Sequence, residues 1–544
     1  MSARESPEWW ACGEQVSRVR RVLVSVSDKR GLVAFVATLV RHGSEIIASG
    51  GTGKALAEAG IPVTDIADVT GNPEAFGGRM KTLSFAVGAG LLFHRERDGE
   101  EASQLGVQPI DMVVCNLYPF AQVVREGGSE AELVEHIDIG GPTMLRAAAK
   151  NFRFVAAVSD PGQYPELARE LDESGGELSL RTRSQLMVAA FQRSADYESA
   201  IASTMDQRHG GRSLRLAFDS PQPLRYGENS HQQAVLMRQR GAPTSLCDAE
   251  LLGGKELSYN NITDLQAALD AVKDLPAPAC AIIKHQNPCG MAAGGSSKDL
   301  LATAWAGDPL SSFGSVIAFN APVDRADLEY LGLGGKKADR KFVELVCAPD
   351  FALGAREYLS RHKELRVVRF DGSAHPRQEE YRHVAGGVLV QEPDQQLWER
   401  LECVSERSPA HVDEELLTFG TIAARQVKSN AIVVVWRTAG GSCQLLGIGA
   451  GQPNRVNSTR LALARALENL RAITGDEEVP GAMAQAYLVS DAFFPFPDNI
   501  DLCGDAGIRT IFQPGGSIRD GAVTRRCDEL GIAMYHTGTR HFRH

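Results

Sequence analysis

The sequence predicts an α/β protein of at least two units, and three observations carry that prediction. Short apolar runs alternate with helical periods at close spacing between residues 21 and 66, the pattern of parallel strands joined by crossover helices. The same alternation returns beyond residue 225. Between them, residues 206–224 contain the polar, Gly- and Pro-bearing stretches DQRHGGRS and DSPQP with little periodicity. A chain of 544 residues also exceeds what one hydrophobic core fills. The expected organisation is an extension at 1–20, a first unit at 21–205, a linker at 206–224 and a second unit at 225–544 built from two subdomains.

The elements follow in order. RVLVSVS at 21–27 reads as a buried strand, with Asp28 as N-cap of a helix over 31–41 whose apolar face is Leu32, Phe35 and Leu39 and which stops at Gly43. Glu45–Ala48 reads as a second strand, SGGTG as a turn, Lys54–Ala59 as a helix stopped by Gly60, and Ile61–Ile66 as a third strand. IDMVVC at 110–115 is a further buried strand, and 131–150 and 160–205 read as helical. In the second half, strands are expected at Ala279–Ile283, Ser315–Phe319 and Ala431–Trp436, with helices at 298–306 and 457–472.

Composition narrows the function. Hydrophobic residues at 43% and charged residues at 23% exclude a disordered chain or a coiled-coil rod. A formal charge of −11 argues against a nucleic-acid binder, although a local Arg/Lys cluster could still grip a small anion. The ten cysteines form no CxxC pair and no disulfide framework, which points to reduced thiols in a cytoplasm. The N-terminus lacks an apolar signal core, and no apolar run approaches the ~18–20 residues of a membrane span.

ASGGTGKA sits between a strand and a helix, where glycines let backbone N–H groups converge on an anion. An ordinary glycine-rich connection would look the same. A P-loop is excluded because Ala48 and Ala55 occupy its first and last positions, and a GxGxxG fingerprint fails at Lys54 and Leu56. Ser27 and Lys29 follow one strand and Asn116 and Tyr118 another, and ligand crevices in open α/β sheets lie at those carboxyl ends. GGRMKT adds Arg79 and Lys81, and HIDIGGPTMLRAAAKN adds Asp138, a Gly-Gly turn and Lys150. In the second half, IIKHQNPCG puts Lys284 and His285 at the end of an apolar strand, where both can serve one pocket only if the strand is ending. A structural histidine is the plainer alternative. A deaminase-like zinc site is disfavoured, because no second Cys follows Pro288-Cys289 at the required spacing and no x-Glu follows His285.

These motifs closely resemble, in order, a known family. VSVSDKRGL, ASGGTGKAL, GGRMKTL, CNLYPF and IDIGGPTMLRAAAKN in the first half, and RYGENSHQ, GKELSYNNITD, IKHQNPCG, GIGAGQPNR, SDAFFPFPDN and terminal RHFRH in the second, resemble the bifunctional AICAR formyltransferase/IMP cyclohydrolases of purine biosynthesis. The resemblance implies a methylglyoxal-synthase-like parallel-sheet domain followed by a duplicated cytidine-deaminase-like α/β domain without zinc chemistry. It implies formyl transfer from 10-formyltetrahydrofolate, as co-substrate, to AICAR, then dehydrative closure of formyl-AICAR to IMP, in a cytoplasmic homodimer with formyltransferase sites built across the subunit interface.

By that resemblance Lys81, Tyr118, Asp138 and Lys150 serve ring closure, and Ser27, Lys29, Ser49, Gly51, Thr52, Arg79, Thr82, Asn116, Gly140 and Gly141 bind its nucleotide. In formyl transfer His285 accepts the amine's proton, Lys284 is an electrostatic or proton partner and Asn430 positions. Arg225, Tyr226, Asn261 and Arg540 map onto the AICAR pocket, and Phe313, Val456, Pro495, Asp498 and Asn499 onto the folate pocket. FFPFP read alone could equally be core. The sequence departs from the family pattern at Ser84, Phe85 and Gly88, where His, Pro and His are usual, and at Pro453, Asn454 and Pro497 near the folate motifs. The first departure leaves room for an alternative in which the N-terminal domain binds nucleotide but has lost cyclohydrolase activity.

Overall fold

The computed structural model describes residues 16–544, apart from 49, 74, 77, 78, 243 and 373–378. The chain divides into two compact units, Met1–Ala217 and Phe218–His544.

The first unit is built on five strands: β1 (Arg21–Val26), β2 (Glu45–Ala48), β3 (Thr64–Asp65), β4 (Met112–Asn116) and β5 (Ala156–Val158). They pair in the order β3-β2-β1-β4-β5, parallel throughout. Side chains alternate between faces along β1. Val22 and Val24 join a core with helices Leu32–Arg41 and Tyr164–Ser174, while Leu23 joins the opposite core with helices Phe85–Leu92, Gly140–Lys150 and Leu180–Arg208. Burial on both faces explains why the strands read as continuous apolar runs.

Several local readings are corrected. Asp28 caps no helix: its carboxylate accepts the Arg30 N–H at 3.0 Å, and the helix begins after Gly31, whose φ is +69°. SGGTG is not a turn, because helix Gly50–Glu58 already includes GGTG, and the Thr52 hydroxyl both accepts the Val26 N–H and donates to the Val26 carbonyl. The third strand shrinks to Thr64–Asp65, since the Asp65 side chain accepts the Ala67 N–H and starts helix Ile66–Thr70. The helical stretch at 131–150 is two helices, Glu130–Glu135 behind a Ser129/Glu132 capping box and Gly140–Lys150. The stretch at 160–205 breaks at Gly175, and strand Glu177–Ser179 pairs with Val16–Arg18 before the long helix Leu180–Arg208. The segment read as a linker is structured at both ends: that helix runs to Arg208, and Phe218–Pro223 is a strand paired with Val235–Gln239.

The second unit holds one sheet of twelve strands. These are β6 (Glu250–Gly253), β7 (Ala279–Lys284), β8 (Asn287–Ala293), β9 (Ser315–Phe319), β10 (Val343–Ala348), β11 (Arg366–Arg369), β12 (Glu402–Cys403), β13 (Ile432–Arg437), β14 (Cys443–Gly449), β15 (Tyr487–Ser490), β16 (Thr510–Gln513) and β17 (Ala533–His536). Their order is β6-β11-β10-β9-β7-β8-β14-β13-β15-β16-β17-β12. Strands β7–β11 and β13–β17 repeat one topology: an antiparallel hairpin, an antiparallel third strand beside its first member, then two parallel additions. The copies meet where β8 pairs antiparallel with β14. One apolar face runs across both copies under helices Tyr259–Lys273 and Glu414–Gln426, while each copy has its own core on the other face. The expected subdomains therefore share one sheet.

Candidate active sites

In the first unit, the loops carrying the candidate residues follow the carboxyl ends of the strands. The Asn116 side chain at the end of β4 accepts the Ser27 N–H at 2.7 Å and the Asp28 N–H at 2.8 Å, and donates to the Asp28 carbonyl at 2.8 Å. It thus holds the loop carrying Lys29. Thr52 is buried, its hydroxyl engaged by Val26, so its contribution to an anion is its backbone N–H at the start of helix Gly50–Glu58, beside those of Gly50 and Gly51. The Lys81 ammonium lies over this helix start: a Cβ built on Gly50 would stand 3.1 Å from Lys81 Nζ. A cation above a positive helix end is the arrangement an anionic group stabilises.

Beside it, a Cβ on Gly140 would stand 2.6 Å from Thr82 Oγ1, and one on Gly141 would stand 2.5 Å from Asp138 Oδ2. Both glycines therefore permit close approach. Asp138 accepts the Gly141 N–H at 2.8 Å; burial raises its pKa, opposed by the N–H groups of Gly141 and Tyr118. Tyr197 is a residue that sequence reading missed. Its hydroxyl accepts the Asp138 N–H and donates to the His136 carbonyl, both at 2.8 Å, and burial pushes its pKa up to about 12. Only its place on the inner face of a long helix hinted at a buried role. Tyr118 is half exposed and lines a cleft of about 640 Å³ with Ser27, Asn116, Arg193 and Tyr197.

Two residues stand apart from this group. Arg79 is exposed and ion-paired with Glu135, which raises the guanidinium pKa. Lys150 is exposed at the far end of helix Gly140–Lys150, and ten residues of helical rise separate it from Gly140 by ~15 Å. Ser49 lies outside the described residues. At the departure from the family pattern, Ser84 accepts the Val87 N–H at 3.2 Å and caps helix Phe85–Leu92.

In the second unit β7 does end at Lys284. His285 and Gln286, with φ of +54° and +61°, form a two-residue left-handed turn into β8. Lys284 Nζ donates to the Phe313 carbonyl at 2.7 Å, and His285 is exposed. The Lys428 N–H donates to Asn287 Oδ1 at 3.1 Å, tying this turn to the segment that carries Asn430. Asn430 Nδ2 donates to the Gln452 carbonyl at 2.8 Å. Below it the wholly buried Asp491 accepts from Ser429 Oγ at 2.6 Å and the Ala431 N–H at 2.9 Å, and pairs with Arg455 at 2.6 Å.

Arg225 packs over the Tyr226 ring at 5.5 Å, and their loop is held at Glu228 by Asn260. Asn261 is buried in a capping box with Ser258. Arg540 lines a separate cleft of about 990 Å³ with Lys273, Arg382, Arg425 and Arg543. Burial lowers the Lys428 pKa, with a smaller contribution from Arg543 and Arg382, and Asp270, Glu380 and Asp394 line the cleft beside the arginines.

The folate set divides. Phe313 is exposed and packs on Phe342, Val456 and Pro495 are half-buried, and Asp498 is exposed. Asn499 is wholly buried, with its amide between Thr459 Oγ1 at 2.9 Å and Asp498 Oδ1 at 3.0 Å, so it is a packing residue rather than part of a ligand wall. FFPFP is both core and surface: Phe494 is buried, whereas Phe493 and Phe496 are exposed. Among the described residues no group of three or more His, Cys, Asp or Glu side chains could hold a metal ion.

The family model for the AICARFT/IMPCHase bienzyme matches residues 148–465, and that for the MGS-like domain matches 31–143. The bifunctional purine biosynthesis protein PurH of Xanthomonas oryzae pv. oryzae (strain PXO99A) is 42% identical over 541 residues, covering 97% of this chain and 99% of its own. The chain belongs to the AICARFT/IMPCHase bienzyme family. PurH of Persephonella marina is 41% identical, covering 96% and 100%. The crystal structure of ForH aligns with 34% of the bienzyme chain and 97% of its own, at 36% identity and a TM-score of 0.30. The two groups of candidate residues lie on loops that join strands to helices or to one another, one group in each unit.

Proposed function

We propose that the bienzyme divides its two activities between its two units. The chain is an AICAR formyltransferase and IMP cyclohydrolase of purine biosynthesis. No observation favours a chain that keeps the formyltransferase alone.

Formyl transfer is assigned to the second unit. The AICAR amine is conjugated with its imidazole and must lose a proton as it attacks the formyl carbon of 10-formyltetrahydrofolate. The N–C bond forms, the bond to the folate nitrogen breaks, and His285 takes the amine's proton and passes it to the departing folate nitrogen. Lys284, held by the Phe313 carbonyl, places a cation beside the oxyanion that develops. Asn430 orients substrate, Arg225 and Arg540 hold anionic groups, and Phe313, Val456, Pro495 and Asp498 face the folate. Ring closure is assigned to the first unit. The carboxamide nitrogen adds to the formamide carbon and water leaves. The helix start at Gly50–Thr52 grips phosphate, Lys81 balances the oxyanion, and Asp138 with Tyr118 moves protons; contact geometry supplies much of the acceleration. The bienzyme is further read as a cytoplasmic homodimer; the exposed apolar residues Tyr381, Val384, Val388 and Leu389 on the antiparallel hairpin Glu380–Val384/Gly387–Gln391 support the dimer.

The observation that carries this reading is the family match along nearly the whole chain, together with Lys81 over the helix start and His285 on an exposed turn. The test supplies the full chain with AICAR and formyl donor and follows formyl-AICAR and IMP. His285→Ala should lose formyl transfer but still cyclise added formyl-AICAR, and Lys81→Ala should do the reverse. Normal formyl transfer in the first variant, or normal closure in the second, would reject the corresponding assignment.

A further inference from the structure

We propose that Asp264 is a positioning residue for formyl transfer, whose carboxylate holds the His285–Gln286 turn in its left-handed form from the helix behind it. The inference rests on the assignment of His285 as proton acceptor.

Strands β7 and β8 are in register at Lys284 and Asn287, so the hairpin turns on two residues alone. Two-residue turns with φ positive at both positions favour Asn and Gly, since other side chains crowd the backbone there. Here the positions are His and Gln, with φ of +54° and +61°. The local sequence therefore does not account for its own turn, and something outside it must.

Asp264 supplies that tether. It lies on helix Tyr259–Lys273, and its carboxylate accepts the Gln286 N–H at 2.8 Å and, more weakly, the His285 N–H at 3.4 Å. In the left-handed turn the two adjacent N–H groups converge on this one carboxylate, and a charged acceptor strengthens the closer bond. From the other side Asn287 Nδ2 donates to the His285 carbonyl at 3.0 Å. The backbone of His285 is thus held at both its N–H and its carbonyl, while its side chain remains exposed. Asp264 bonds the backbone and not the imidazole, so its role is to aim the base rather than to tune it.

The experiment compares the full-length parent, Asp264→Ala, Asp264→Ala/Gln286→Gly and His285→Ala. Asp264→Ala should lower the formyl-transfer kcat about 10- to 100-fold. KM for AICAR should change less than about threefold, because the turn aims the base without gripping the nucleotide. The limbs of the pH–rate profile should stay in place, and cyclisation of added formyl-AICAR should be unaffected. Glycine at 286 removes the steric objection to the left-handed form and should recover about fivefold of the lost kcat. A kcat within about twofold of the parent in Asp264→Ala, or a loss that glycine does not recover, would overturn the proposal. Should His285→Ala retain formyl transfer, the underlying assignment fails instead. An inactive His285→Ala beside a normal Asp264→Ala defeats the tether alone.

Discussion

Removing Arg455 should destabilise the second unit far more than an ordinary arginine deletion. Its guanidinium is 8% exposed and lies 2.6 Å from Asp491, whose side chain is 0% exposed. The same carboxylate accepts from Ser429 Oγ and the Ala431 N–H on either side of Asn430. Methionine at 455 would fill much of the arginine's volume but leave a buried carboxylate with hydrogen bonds and no cation. Breaking one side of such a pair costs about 3–5 kcal/mol. With a urea m-value of about 3 kcal/mol/M, the unfolding midpoint should fall by about 1–1.7 M. Tryptophan emission of the intact protein is a suitable assay, because three of its five tryptophans, Trp305, Trp398 and Trp436, lie in the second unit, and Trp9 and Trp10 are common to parent and variants. Adding Asp491→Asn removes the orphaned charge while keeping an acceptor for Ser429 and Ala431, and should restore about half of the loss. A midpoint shift below about 0.3 M in Arg455→Met would refute the reasoning, since it would mean that the carboxylate needs no buried cation.

Two further outcomes test the first unit and the edge of the second. Asn116→Ala leaves two N–H groups and one carbonyl of the Ser27–Asp28 loop without their partner, so the first unit should lose about 2–4 kcal/mol and cyclohydrolase activity should fall at least about tenfold with formyl transfer unchanged; equal loss of both activities would contradict the loop's local role. His536 is buried, and burial holds its imidazole below the ordinary value of 6.5. The unfolded chain then takes up a proton that the folded chain resists, so this contribution is complete above pH 6.5 and is lost as pH falls toward the folded-state pKa. The melting temperature should drop more between about pH 7.5 and 5.5 in the parent than in His536→Gln, and parallel curves would count against it.

Legibility from sequence depended on the range of the interaction involved. The strands β1, β2, β4, β7, β9 and β13 were readable because continuous apolar runs report burial on both faces within a few residues. The chemistry-bearing motifs were readable because they sit where those runs stop, and ordered resemblance supplied their names. Capping contacts misled where a side chain had a competing partner nearby, as Asp28 had in Arg30. The short strand at Glu177–Ser179 escaped notice because its partner, Val16–Arg18, lies about 160 residues away in the chain.

By itself the sequence determined the α/β class, two units, the order of the motifs and the identity of the bienzyme, all of which are local patterns or their succession. Tertiary structure alone decided that the two repeats share one twelve-stranded sheet through the β8–β14 pairing, and that the Asn116 and Asn499 side chains bond to the Ser27–Asp28 loop and to Thr459. It alone brought Asp264 beneath the turn at His285. The physical reason is that periodicity records whether a residue is buried, whereas a polar side chain's partner is chosen by which distant backbone groups the topology brings within ~3 Å, a matter on which neighbouring residues are silent.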